Sequence, residues 1–341
     1  MLAKDPDVNL VFPHRQTAHC ESGVISNLLT YHGLPLSEAM AFGIGGGLFF
    51  GYLPFIRING LPLTTFRTTP GSIFNRVTER LGIGVTQSTY KDQERAMVEL
   101  DRNLAQGVPV GLQTGVYWLP YFPPALRFHF NAHNLVVYGK EGDDYLISDS
   151  VLGEPVVCAA ADLVRARFAQ GALAPKGKMY SITTVPRELD LAPAIKQGIR
   201  EVCRSMLSVP LPLLGTWGIR TLAKQVERWP AKLGDRRAIL YLGNLIRMQE
   251  EIGTGGGGFR FIFAAFLQEA ADLLGNDRYL EMSQRMTAVG DTWREFAVAG
   301  ARHCKGRAGQ GEDFADLACI LRRCAALEDA LLRELAVLVR K

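Results

Sequence analysis

The chain is poor in cysteine, with six in 341 residues, at positions 20, 158, 203, 304, 319 and 324. Thiols this sparse build no disulfide framework in a chain of this length. The chain also lacks a long apolar run: Val209 to Leu214 is short and broken by Pro210 and Pro212, too little to span a bilayer. The first residues, Met1-Leu2-Ala3-Lys4-Asp5-Pro6-Asp7, have neither the basic start nor the apolar centre of a signal peptide. Together these absences make the cytoplasm, with reduced thiols and no membrane association, the expected setting. Strong charge of one sign is missing too. Lys and Arg number 38 against 34 Asp and Glu, a formal +4. That balance does not mark a nucleic-acid binder, although a weakly basic surface suits an acidic partner such as a carrier protein or a phosphate. No internal repeat is present, and the only low-complexity tract is Gly255 to Gly258.

What is present is a globular composition, 48% hydrophobic and 21% charged, long enough for two domains. Residues 1–187 alternate short helical and strand patterns. Val24 to His32 is helical and stops at Gly33, with Pro35 beyond. Ser37 caps a short helix over Glu38 to Phe42. Phe49 to Ile58 and Leu61 to Thr68 form a hairpin across Asn59-Gly60. A helix begins near Pro70, a strand lies near Val85 to Thr89, and Lys91 to Gln106 is amphipathic. Strands follow at Val108–Tyr117, 133–139, 145–149, 155–157 and 179–185, with a short helix over Asp162 to Ala169. The fold class is α+β, with helices mainly early and antiparallel strands mainly late. After Pro186 only helical periodicity remains, near 192–207, 216–228, 235–250, 259–274, 277–299 and 313–339. The expected domains are therefore 1–187 and an all-α 188–341.

The chemistry centres on Arg15-Gln16-Thr17-Ala18-His19-Cys20-Glu21-Ser22-Gly23. Cys20 directly precedes the first helix, where unpaired N–H groups and the macrodipole favour a thiolate. A thiolate nucleophile calls for an imidazole partner, itself oriented by a carboxylate or amide. His133 opens one late strand and Asp149 ends the next, 16 residues on. A cysteine on an early helix followed by a histidine and an acid on adjacent strand ends is the order of papain-like hydrolases. Cys20, His133 and Asp149 are thus the candidate catalytic triad. The plainer alternatives are a small buried hydrophobe at Cys20 and a turn former at Asp149. Gln16 is a candidate oxyanion donor beside the Cys20 backbone N–H, or a surface loop glutamine. His19 either binds substrate or supports the loop.

Other groups fit chemistry less well. His129 and His133, with His19 and Cys20, raise a metal site, but 129–133 leads into a strand and not a helix, so no metal is expected. Gly43-Ile44-Gly45-Gly46-Gly47 leads into a strand, unlike a dinucleotide fingerprint. Gly253 to Gly258 opens a helix at Phe259-Arg260; it is either an anion cradle or a tight packing loop. Trp118, Tyr121, Phe122, Phe128 and Phe130 either wall an acyl pocket beside His133 or pack the core.

Three stretches carry a family likeness: His19-Cys20-Glu21-Ser22; Leu36-Ser37-Glu38-Ala39-Met40; and Phe42-Gly43-Ile44-Gly45-Gly46-Gly47-Leu48. Together they resemble the N-terminal domain of the butirosin biosynthesis protein BtrH family. Gly255 to Arg260, Phe266-Leu267 and Trp293 resemble the helical domain usually found after it. The resemblance implies a papain-like cysteine acyltransferase domain followed by a helical domain. It implies that Cys20 attacks a pantetheine thioester, that His133 shuttles the proton, and that Asp149 orients His133. The donor would be an acyl carrier protein or CoA thioester and the acceptor a small-molecule amine, with no further cofactor. The rivals are a cysteine hydrolase using the same triad and a non-catalytic binding module. The helical domain shapes the acceptor site or forms a homodimer contact, and the sequence does not choose.

Overall fold

The computed structural model describes residues 8–58, 60–309 and 312–340. In chain order the elements are β1 (Val8–Asn9), α1 (Cys20–Tyr31), α2 (Glu38–Ile44), β2 (Leu48–Ile58), β3 (Leu61–Arg67), α3 (Ser72–Arg80), β4 (Gly84–Ser88) and α4 (Gln93–Ala105). Then come β5 (Val110–Thr114), β6 (His133–Glu141), β7 (Asp144–Ser148), β8 (Val156–Ala159), α5 (Ala160–Arg167) and β9 (Met179–Thr184). The rest is helical: α6 (Ala192–Leu207), α7 (Gly215–Leu233), α8 (Asp235–Glu250), α9 (Arg260–Leu274), α10 (Arg278–Cys304) and α11 (Phe314–Leu338). The fold is α+β with antiparallel sheets, followed by a helical region, as the sequence predicts.

Two compact units emerge, one of residues up to 41 with 78–189, the other of 42–77 with 190 onward. The β2–β3 hairpin thus groups with the helices, and not with residues 1–187 as the sequence pattern places it. The reason is aromatic burial. Phe50 and Phe66 meet the Trp293 ring at centroid separations of 5.9 and 5.4 Å, and burying such rings outweighs closeness in sequence. Asn59, the first half of the expected hairpin turn, lies outside the described residues. Gly60 takes the left-handed φ of +80° that a tight turn needs.

In the first unit the sheet runs β4-β9-β5-β6-β7-β8, with β1 also pairing β6. All these pairings are antiparallel. Leu112, Leu135, Val137 and Ile147 pack with Leu100 and Leu104 of α4 and Leu163 of α5 into one core. Helix α1 packs on β6. It is buried throughout Cys20–Leu29. Two of its polar side chains bond inside: Ser26 Oγ donates to the Leu36 carbonyl at 2.5 Å, and Asn27 Nδ2 to the Arg15 carbonyl at 3.2 Å, while Asn27 Oδ1 has no hydrogen-bond partner among the described residues. Burying Val24, Ile25, Leu28 and Leu29 contributes roughly 1.5–3 kcal/mol each.

The second unit is built around a buried ion pair. Arg260 Nε donates to Glu328 Oε1 at 2.9 Å, and a second guanidinium nitrogen to Oε2 at 3.0 Å, both side chains wholly buried. Trp293 Nε1 adds a 2.6 Å bond to the same carboxylate, and Arg260 also donates to the Gly258 carbonyl at 2.6 Å. The glycine run before Arg260 is left-handed from Gly255 to Gly258, and Phe259 follows at φ +71°. A Cβ at Gly258 would stand 2.4 Å from the Phe66 ring. The run is a packing loop of strained backbone. Arg260 is consumed by Glu328 and is not offered to an anion.

Glu328→Ala leaves the Arg260 guanidinium buried and uncompensated. We expect a loss of about 3–5 kcal/mol in unfolding free energy, read by urea denaturation, well beyond the effect of Glu334→Ala at the exposed pair with Arg285.

Candidate active site

Cys20 is the first residue of α1 and is 7% exposed. His19, in extended backbone at φ −117° and ψ 122°, is the N-cap residue of the helix, with its ring Nδ1 3.4 Å from the Ser22 nitrogen. The arm leading to Cys20 is laced to the segment that follows β7. His14 contacts Ser148 Oγ at 2.8 Å and the Leu152 carbonyl at 3.1 Å through its two ring nitrogens, and the Thr17 N–H donates to the Ser150 carbonyl at 2.6 Å. Gly23 makes this approach possible. A Cβ there would lie 2.0 Å from Thr17 Oγ1 and 2.5 Å from Ser150 Oγ, so any side chain would push the helix off the turn.

The sheet register brings the other two residues to the same end. Val136 of β6 faces Ser148 of β7, so the residue just past β7 lies beside the start of β6. There His133 Nε2 lies 2.7 Å from Asp149 Oδ2. A carboxylate only accepts, so Nε2 carries the proton, leaving Nδ1 for the Cys20 side chain, which also hydrogen-bonds the ring. Burial pulls the imidazole toward neutrality, but the Asp149 charge and hydrogen bond, with a smaller contribution from Cys20, outweigh it and push His133 up to about 10. The favoured state is an imidazolium held between a carboxylate and a sulfur.

The surroundings keep this group dry. Tyr121 donates its hydroxyl to the same Asp149 Oδ2 at 2.9 Å, and the Val151 N–H reaches Oδ1 at 3.4 Å. Burial, then the Asp149 charge, holds the Tyr121 phenol well above its usual range. The Phe122 ring stands edge-on to His133 at 5.7 Å. Tyr180 donates to Asn134 Oδ1 at 2.9 Å, and burial, then the charges of Glu21 and Cys20, keep it protonated.

Residues 19–150 match the family described as Butirosin biosynthesis protein H, N-terminal, and residues 161–335 match DUF4872, a domain of unknown function. The second match spans more than half of the chain, so the chain belongs to the DUF4872 family. A search of curated proteins finds no match. Among solved structures, a C39-like peptidase from Bacillus anthracis aligns at 15% identity and a TM-score of 0.39, over 54% of this chain and 100% of that one. Among the described residues no helix is long and apolar enough to cross a membrane.

The residues singled out in the sequence divide in two. Cys20, His133 and Asp149 come together, with His19 beside them as the cap. Gln16 is not tied to them: it is exposed and makes no hydrogen bond among the described residues. Of the aromatic stretch, Tyr121 and Phe122 touch the Asp149–His133 pair. His129 stacks on Tyr117 at a centroid separation of 4.3 Å. The bonds from Glu38 to the Ala18 and His19 amides and the polar contact of Tyr121 were not visible in the sequence, since each spans a gap with no periodic signal.

The raised His133 gives a signed expectation. Its charged form is stabilised in the folded state, so the stabilisation is full below the unfolded value of 6.5 and is lost as pH rises through about 10. Thermal melts should show wild type more stable than Asp149→Asn below pH 6.5, with the difference shrinking toward pH 10. A gap that stays constant across this window would reject the charged His133–Asp149 pair.

Proposed function

We propose that the protein is a papain-like cysteine acyltransferase that moves an acyl or aminoacyl group from a carrier-protein or CoA thioester to an amine. The observation that carries the reading is the His133 imidazolium, held by Asp149 on one nitrogen and hydrogen-bonded by the Cys20 side chain. The biosynthetic relation of the N-terminal domain supports transfer to a small molecule rather than breakdown of protein.

In the first half-reaction the Cys20 thiolate adds to the thioester carbonyl carbon. The tetrahedral oxyanion forms against the Cys20 N–H at the start of α1, with the helix dipole behind it. Gln16 is the second donor in this reading. The carbon–sulfur bond of the donor then breaks, and His133 delivers its Nδ1 proton to the departing pantetheine thiolate. The product is acyl-Cys20 beside a neutral imidazole. In the second half an amine adds to the acyl carbon, His133 takes its proton, and Cys20 leaves as a thiolate. Asp149 holds the ring in one tautomer throughout. Only the thioester donor and the amine are required, and the cytoplasm is the setting.

Incubation with an acyl-pantetheine thioester should add the acyl mass to the intact protein, on Cys20. Cys20→Ala should abolish the adduct and lower turnover by about 10⁴-fold or more without changing the melting temperature by more than a few degrees. The amine decides between transfer and hydrolysis. Amide formation that rises with amine supports the transferase, and release of free acid at the same rate with and without amine would assign a hydrolase. Retained turnover in Cys20→Ala would remove the mechanism altogether.

A further inference from the structure

The reaction described above does not use Glu38, although this carboxylate lies against the residues that precede the nucleophile. It accepts the His19 N–H on Oε1 at 2.6 Å and the Ala18 N–H on Oε2 at 3.1 Å. It is also hydrogen-bonded by the Ser22 hydroxyl, which in turn lies 2.8 Å from Nδ1 of His19. One carboxylate therefore ties both amides before Cys20 and, through Ser22, the ring that caps the helix. Burial raises Glu38 above its usual range, and the bonds from His19, Ala18 and Ser22 oppose that rise.

The arrangement joins two stretches of sequence that are well separated. Glu38 is the first residue of α2, whose start is fixed by the Met40 N–H on Ser37 Oγ at 2.9 Å. His19-Cys20-Glu21-Ser22 and Ser37-Glu38-Ala39-Met40 thus meet in space, with the second holding the first. Two fixed amides and a fixed cap leave the turn into Cys20 little freedom. That matters where a nucleophile must face one imidazole, because misplacement by about 1 Å can cost about 100-fold in rate.

Resting on the triad reading above, we propose that Glu38 is a positioning residue for the nucleophile: its two oxygens clamp the Ala18 and His19 amides and so aim Cys20 at His133. Glu38 touches neither substrate nor reacting atoms. Its carboxylate charge opposes a neighbouring thiolate, so the clamp and the charge act in opposite senses, and a test must separate them.

Two variants do so. Glu38→Gln and Glu38→Ala both lack the charge, but Gln keeps one acceptor oxygen, enough for one of the two amides, while Ala keeps none. The full-length proteins are alkylated with iodoacetamide at neutral pH, and each cysteine is followed by peptide mass spectrometry. Exposed Cys319 serves as the internal reference. We expect Cys20 in Glu38→Ala to react about tenfold more slowly than in Glu38→Gln, with Cys319 equal in both. Equal Cys20 rates in the two variants overturn the proposal. Should either variant fail to fold, amide exchange in the wild-type protein decides. Ala18 and His19 amides exchanging at least about 100-fold more slowly than in an unstructured chain support the clamp, and exchange at unprotected rates overturns it. A wild-type Cys20 that reacts no faster than Cys319 would count against the triad instead, and the exchange measurement would still judge the clamp.

Discussion

The closeness of α1 to the turn after β7 is the constraint on which the candidate site depends. Cys20 and Asp149 sit on segments more than a hundred residues apart, yet those segments are joined by backbone. The Thr17 amide bonds the Ser150 carbonyl at 2.6 Å, and His14 bridges Ser148 and Leu152. The fit tolerates no side chain at position 23, where a Cβ would overlap Thr17 and Ser150. Backbone lacing of this kind fixes the distance between Cys20 and Asp149 before either side chain chooses a rotamer. His133 needs only to enter from the adjacent strand end, and the β6–β7 register brings it there.

Given that frame, the electrostatics follow from what is denied to water. Asp149 is wholly buried, so its lone pairs must be met from within the protein. His133 and Tyr121 meet Oδ2, and the Val151 amide reaches Oδ1 more weakly. The imidazole faces two opposing demands. Burial favours its neutral form, while a carboxylate at 2.7 Å favours the cation, and the carboxylate wins. An exposed pair at this separation would gain little. Here the absence of competing solvent makes one hydrogen bond decide the protonation state. The same logic holds in the other unit, where Glu328 accepts from Arg260 and Trp293 with no solvent contact.

Periodicity and turn chemistry made much of the architecture legible. The bounds of α6 and α8 follow from apolar spacing, and His133 and Asp149 stood out because each lies at the end of a β-rich run. Three features left no such trace. The hairpin joins the helical unit through Phe50 and Phe66 against Trp293, contacts more than two hundred residues apart that no local pattern encodes. Helix α7 continues through Pro230 to Leu233, although proline forfeits a helical hydrogen bond; buried Trp229, edge-on to Tyr241 at 5.7 Å, holds that last turn against the core. Tyr121 reads as one more aromatic among many, because its role lies in a hydroxyl whose partner is 28 residues away.

Exposure falls steadily from the reacting atom inward. Cys20 is 7% exposed, His133 5%, and Asp149 not at all. Under the proposed chemistry both half-reactions take place at the same small patch of sulfur. The donor must bring its carbonyl there, and the amine must later reach the acyl carbon over the same ground. In this mechanism the pantetheine thiol departs before the amine adds, so acyl-Cys20 must outlast the interval. During that interval the neutral imidazole beside the acyl group is a base able to activate water. Whether the intermediate survives therefore depends on how well Tyr121, Phe122 and the buried start of α1 keep water from Nδ1. The burial against which Asp149 holds the charge on His133 is the same property that would separate a transferase from a hydrolase built on this site.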